Sequence, residues 1–228
     1  MSTTPGAPTN PAGADGIPID ALDFYDDLAV ENTRTWWQAN KDRYLRSVRA
    51  PLDALLAALE DEFGAAHVYR PNRDVRFSAD NSPYKDHQGA LAATVPGMGF
   101  YVQVSAAGLM TGGGFYPTGT DQVSRLRAAI DSPRSGQDLQ RITDALVGQG
   151  FELGGERVAT RPRGVAADHP RLPLMRFKSL VAKREHGCPP WLSTPEVVTQ
   201  VRADWQSVRP LVDWLTEHVG ATDHPRRR

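Results

Sequence analysis

The sequence predicts an α+β fold: a largely antiparallel sheet with N-terminal and C-terminal helices packed on it. Three observations predict it. Helical patterns come first, strand-like runs follow consecutively in the middle, and helical patterns return at the end. No strand–helix alternation recurs, which disfavours a doubly wound parallel sheet. The middle also offers a hairpin turn, Ala106-Ala107-Gly108, between two strand-like runs.

Each element has a local reason. Asp20 can cap a helix that sets Leu22, Tyr25 and Leu28 at helical spacing beside Phe24. Glu31-Asn32 interrupts it, and Thr33 caps a second helix carrying Trp36, Trp37, Asn40, Tyr44 and Val48. Pro51 should start or kink a further segment with Leu52, Leu55, Leu56 and Leu59 on one side, closed by Gly64. Val75 to Ser78, Ala90 to Val95 and Phe100 to Ser105 read as strands. A strand over Leu109 to Thr111 is expected to end or bulge at Gly112-Gly113-Gly114. Helices follow over 122–131 and 137–148, then a weak hairpin at 152–159 around Gly154-Gly155. A punctuated loop spans Arg161 to Pro173. Leu174 to Glu185 alternates apolar and basic residues and reads as one long strand. Thr194-Pro195-Glu196 opens a last helix with a Val198, Val201, Trp205, Val208, Val212 and Leu215 stripe, ended by Gly220.

These patterned segments run from 20 to 220 and predict a single α+β domain. Residues 1–19 and 221–228 are expected to be disordered tails, the second of them basic. At 228 residues the chain can bury a substantial core. Its net charge of −1 gives no global field for nucleic acid or membrane, so a basic site must be local. No apolar run reaches the roughly 20 residues of a spanning helix, and Met1 to Gly16 lacks the pattern of a signal peptide. A lone cysteine, Cys188, forms no intrachain disulfide and suits a reducing cytosol, so a cytoplasmic protein is expected.

The stretch Arg73 to His87 concentrates chemistry. It holds Arg73, Asp74, Arg76, Asp80, Asn81, Tyr84, Lys85, Asp86 and His87 around a short strand and a turn at Asp80-Asn81-Ser82-Pro83. Arginine forks and a lysine point charge suit phosphate or carboxylate. In this reading Arg73, Arg76 and Lys85 bind an anion, Asp74 orients an arginine, and Tyr84 and His87 position the ligand or transfer protons. Arg176 and Lys178 share one parity and can line a groove for phosphates. The plain alternative is that Asp74 and Asp86 neutralise these bases in a structural ion-pair network. Gly112-Gly113-Gly114 lacks the lysine and hydroxyl of a phosphate loop. The histidines show no metal-ligand spacing, so neither metal nor cofactor is expected.

Several of these residues carry a resemblance. Phe24…Leu28, then Asn32-Thr33-Arg34-Thr35-Trp36-Trp37-Gln38-Ala39-Asn40-Lys41, Tyr44 and Pro51 resemble the start of a bacterial and fungal family, domain of unknown function 2461. Arg73-Asp74-Val75-Arg76-Phe77-Ser78 with Pro83-Tyr84-Lys85 is similar to its central signature. Gly99-Phe100-Tyr101, Gly114, Leu126-Arg127, Arg163-Gly164 and Asp168-His169-Pro170 also fit. Trp37 departs from it, since the family more often has Phe there. The resemblance covers about residues 20 to 215. It implies one domain and carries no activity across.

Two functions are therefore expected to compete. One is a basic, Tyr-containing cleft for an anionic small molecule, with hydrolysis or transfer at a phosphate or carboxyl ester as its chemistry. The other is a non-catalytic module that binds protein or nucleic acid through the same sheet face. A purely structural role for the signature is the third reading.

Overall fold

The computed structural model describes residues 14–74 and 81–222. The expected strand at Val75 to Ser78, and with it Arg76, lies outside the described residues.

Three α-helices open the fold: α1 (Asp20–Val30), α2 (Arg34–Tyr44) and α3 (Ala50–Ala57). The Trp36 N–H donates to Thr33 Oγ1 at 3.1 Å, so Thr33 caps α2 as its hydroxyl suggests. Between α2 and α3 the chain widens into a π-helical turn, Leu45–Arg49. Pro51 explains the widening, because its ring has no N–H and crowds the carbonyl four residues back. A short α4 (Glu60–Phe63) ends at Gly64, which takes φ +83°.

Six strands then form one sheet in the order β1-β2-β3-β4-β6-β5, with every pairing antiparallel. They are β1 (Ala66–Val68), β2 (His87–Val95), β3 (Met98–Ser105), β4 (Gly108–Phe115), β5 (Glu152–Gly154) and β6 (Leu180–Gly187). Between β4 and β5 run α5 (Thr120–Asp131) and α6 (Pro133–Gly148), and α7 (Leu172–Met175) precedes β6. A 3₁₀ turn, Pro190–Ser193, leads to the long α8 (Glu196–His218). The α+β expectation holds: helices from both parts of the chain pack on an antiparallel sheet.

The stripe of α8 supplies much of the core. Val201, Trp205, Val208 and Val212 are buried, Trp205 to 1% exposure. The Trp205 ring meets Phe63 and Phe100 at centroid distances of 5.1 and 5.7 Å, and its N–H donates to the Tyr101 carbonyl at 3.0 Å. The helix comes this close because Gly113 has no side chain. A Cβ there would sit 2.9 Å from Val208 Cγ1 and 3.3 Å from Val212 Cγ2.

That packing corrects one expectation. Gly112-Gly113-Gly114 neither ends nor bulges β4. All three residues pair with β3 on one side and β6 on the other. Two further corrections concern the C-terminal half. Leu174 to Glu185 is not one strand: its start belongs to α7, and β6 begins only at Leu180. Pro173, in the first turn of α7, favours that short helix. Glu152 to Ala159 forms no hairpin, since β5 pairs with β6. The ends also hold more than their composition suggests. Ile17, inside the tail read from the sequence, is fully buried, and its N–H donates to the Leu192 carbonyl at 2.8 Å. Arg125 Nη2 donates to the Ala221 carbonyl, and the Thr222 hydroxyl donates to Asp121 Oδ1, both at 2.5 Å.

Candidate functional site

The sheet has two unlike faces. On β3, Phe100, Val102 and Val104 are buried toward the helices, while Tyr101, Gln103 and Ser105 alternate with them and are only half-buried. Cross-strand register puts Leu91 opposite Tyr101 and Gly89 opposite Gln103 on this second face.

The signature begins where β1 and β2 lose register. The Tyr69 N–H donates to the Gly89 carbonyl at 3.0 Å, whereas farther on Asn72 bridges Tyr84. Lys85 N–H donates to the Pro71 carbonyl at 2.8 Å, and Arg73 N–H to the Pro83 carbonyl at 2.9 Å. Pairing thus slips by two residues around Arg70, Pro71 and Asp86 to Gln88, an irregularity that re-aims side chains. Gln88 turns inward there. Its amide donates to the Tyr69 carbonyl at 2.7 Å, and its Oε1 accepts from Tyr44 Oη at 2.6 Å.

Asn32 fixes the returning strand. Its Nδ2 donates to the Tyr84 carbonyl at 3.0 Å, and its Oδ1 accepts the Tyr84 N–H at 3.2 Å. Tyr84 lies under this clamp, 5% exposed and stacked on Trp37 at 4.1 Å with the rings 9° from parallel. It faces the core rather than the open face. Trp37 stacks inside with it.

The charged members sit around this frame. His87 Nδ1 lies 2.7 Å from Asp86 Oδ1, and Arg73 Nη2 lies 4.0 Å from the same oxygen. Burial would push the Asp86 carboxyl up, but the His87 hydrogen bond, with the charges of His87 and Arg73, holds it below its usual range. Lys85 Nζ stands 5.4 Å from the Tyr69 ring centre. Burial, followed by the charge of Arg70, lowers the Lys85 pKa. Among the described residues neither Lys85 nor Arg70 has a carboxylate within ion-pair distance. Arg70 was not singled out in the sequence, although Tyr69-Arg70-Pro71 adjoins the signature.

Beside them Tyr69 and Tyr101 form an aromatic patch, with centroids 6.5 Å apart. Tyr101 lies across Gly89, where any side chain would collide with its hydroxyl. Tyr101 Oη donates to Gln103 Oε1 at 3.0 Å. Burial, then Tyr69 and Tyr116, pushes the Tyr101 hydroxyl pKa well above that of an ordinary phenol.

Arg176 and Lys178 are not brought to this corner. Arg176 donates to the Val158 and Ala159 carbonyls at 3.2 and 2.6 Å, and Lys178 pairs with Glu156 at 2.5 Å. They belong to the β5 side of the sheet. Five strand spacings, roughly 24 Å, separate β5 from β1. Asp74 stands at the edge of the described residues and has an interaction partner.

A second polar cluster had escaped notice in the sequence. Asp204 of α8 is 2% exposed. Its Oδ2 accepts from Thr111 Oγ1 at 2.5 Å and lies 2.6 Å from the His186 ring, while Oδ1 pairs with Arg184 at 2.5 Å. Burial would push the Asp204 carboxyl up, yet the hydrogen bonds from His186 and Thr111 and the charges of His186 and Arg184 hold it below its usual range. Thr111 is fully buried, so this cluster ties β4 and β6 to α8 and offers no accessible nucleophile.

A groove of about 740 Å³ between α6 and α8 and another of about 440 Å³ between α3 and β1 both lie away from the signature. Among the described residues no cluster of His, Cys, Asp and Glu is arranged to hold a metal ion, and no helix is long and apolar enough to cross a membrane.

A family model described as conserved hypothetical protein, DUF2461, matches residues 20–214. The chain belongs to this family. No curated protein and no solved structure matches it. The DUF2461 match spans both polar clusters, the Asn32 clamp with Tyr84 and the Asp204 latch on α8.

Proposed function

We propose that the corner formed by Arg70, Arg73, Lys85 and His87 binds a small molecule bearing phosphate or carboxylate, with Arg76 of the same signature as a further ligand. One observation carries the reading. Burial and the charge of Arg70 both disfavour the charged form of Lys85, and neither side chain meets a carboxylate among the described residues. A structural network pairs its charges, whereas a site for an anion leaves them for the ligand. His87, held by Asp86, supplies a group for proton transfer, which extends the reading to hydrolysis or transfer at a phosphate or carboxyl ester. Tyr84 anchors the site from the core.

The test is thermal unfolding of the full chain in graded inorganic phosphate. Wild type should be stabilised, by about 2.7 kcal/mol at a hundredfold excess over the dissociation constant. Lys85→Ala should lose that response while keeping the unliganded midpoint, because it removes a repulsion. A wild type indifferent to phosphate and to small carboxylates, with a Lys85→Ala variant that melts far earlier, would refute the proposal.

A further inference from the structure

We propose that the ligand of this corner is a nucleoside monophosphate, its base lying on the Tyr101 ring and its phosphate at Lys85 and Arg70, beside the neighbouring Tyr69. The inference rests on the anion-binding reading and adds the ring. Three observations carry it.

The first is the platform. Tyr101 is half-buried on the sheet face opposite the helices, and Gly89 makes room for its ring where any other residue would block it. Tyr69 adjoins it with its ring tilted by 46°, and Leu91 flanks Tyr101 across the strand pair. Any base offers a flat π-face to such a surface.

The second is the edge. Gln103 Oε1 is occupied by the Tyr101 hydroxyl, which fixes the orientation of the amide. The amide NH₂ then points its donors away from that bond, and it has no acceptor among the described residues. A half-buried donor pair beside an aromatic platform suits the ring nitrogens and carbonyls of a base.

The third is the extent of the charge. Lys85 stands over Tyr69, where the charge of Arg70 also reaches it, so positive charge gathers over the ring next to Tyr101. Along the same face toward β5 the only cation on β6 is already neutralised: Lys183 pairs with Glu185 at 2.8 Å and with Glu152 at 3.3 Å. Among the described residues the face therefore lacks the continuous basic track that a strand of nucleic acid requires. One phosphate is matched, and a polymer is not.

The experiment is calorimetric titration of the full chain with adenosine monophosphate, ribose 5-phosphate and adenosine. The monophosphate should bind at least tenfold more tightly than ribose 5-phosphate. Tyr101→Leu should erase that margin while leaving ribose 5-phosphate affinity unchanged, and Lys85→Ala should weaken both phosphates. If Tyr101→Leu does not fold, Gln103→Ala serves instead and should reduce the margin without altering the sugar phosphate. Equal affinities of wild type for the two phosphates would overturn the ring and leave the anion reading standing. Adenosine binding as tightly as its monophosphate, or no binding of any of the three, would overturn this inference and the phosphate half of the anion reading with it.

Discussion

Asp204→Ala is the sharpest test of how α8 is held. The carboxylate accepts from Thr111, meets His186, and pairs with Arg184, all within 2.6 Å. Removing one partner of a buried ion pair costs about 3–5 kcal/mol, because the other charges lose their compensation. Arg184 keeps 28% of its side chain in water and can be solvated again, which sets the value near the lower end, about 3 kcal/mol. For a chain of this length 1 kcal/mol moves the melting temperature by about 2–4 °C, so the variant should melt about 6–12 °C earlier. Asp204→Asn keeps an acceptor for Thr111 and should cost less.

The same residue gives a pH signature. Its folded pKa lies below the ordinary value of 3.8, so its contribution is present above that value. It is lost as the pH falls through the lower folded value. The gap between wild type and Asp204→Asn should therefore be full at neutral pH and close in acid. Calorimetric or circular-dichroism melts from neutral to acid pH measure both effects. A loss under about 1 kcal/mol for Asp204→Ala at pH 7 would show that the cluster does not hold the helix, whatever its geometry.

Two further outcomes follow from packing. Trp205→Ala empties a fully enclosed site and removes the donor to the Tyr101 carbonyl, so urea unfolding should show a loss of about 3–5 kcal/mol. Asn32→Ala deletes two hydrogen bonds to the Tyr84 backbone and should cost about 2 kcal/mol. Amide exchange should then quicken at Tyr84 and Lys85 before it quickens in α8, and uniform quickening would contradict a local clamp.

The helices and the hairpin were legible because their signals are local. Thr33 caps α2 by its own hydroxyl, and the α8 stripe repeats at helical spacing. What failed depended on distant contacts. Three glycines look like the end of a strand until Val208 and Val212 are known to lie against the middle one, Gly113, and β6 against its two neighbours. The alternation from Leu174 onward suits a strand, but short apolar runs do not separate strand from helix by periodicity. In the candidate site the sequence located the signature and missed its supports. Asp204 did leave a trace: it falls three residues after Val201 and four before Val208, a charge on the buried stripe. Asn32 left none, since nothing nearby announces a partner 52 residues away.

The glycine strand also bears on when this chain can finish folding. Residues 112–114 have little preference of their own for extended structure, and they lack the side chains that normally bind neighbouring strands together. Their order comes from pairing with β3 and β6 and from α8, whose Val208 and Val212 arrive almost a hundred residues later. On a ribosome adding about 5–20 residues per second, the central strand waits roughly 5–20 s for that helix. Until then the sheet is a surface without its cover, and the helix that closes it is made long after the strand it covers.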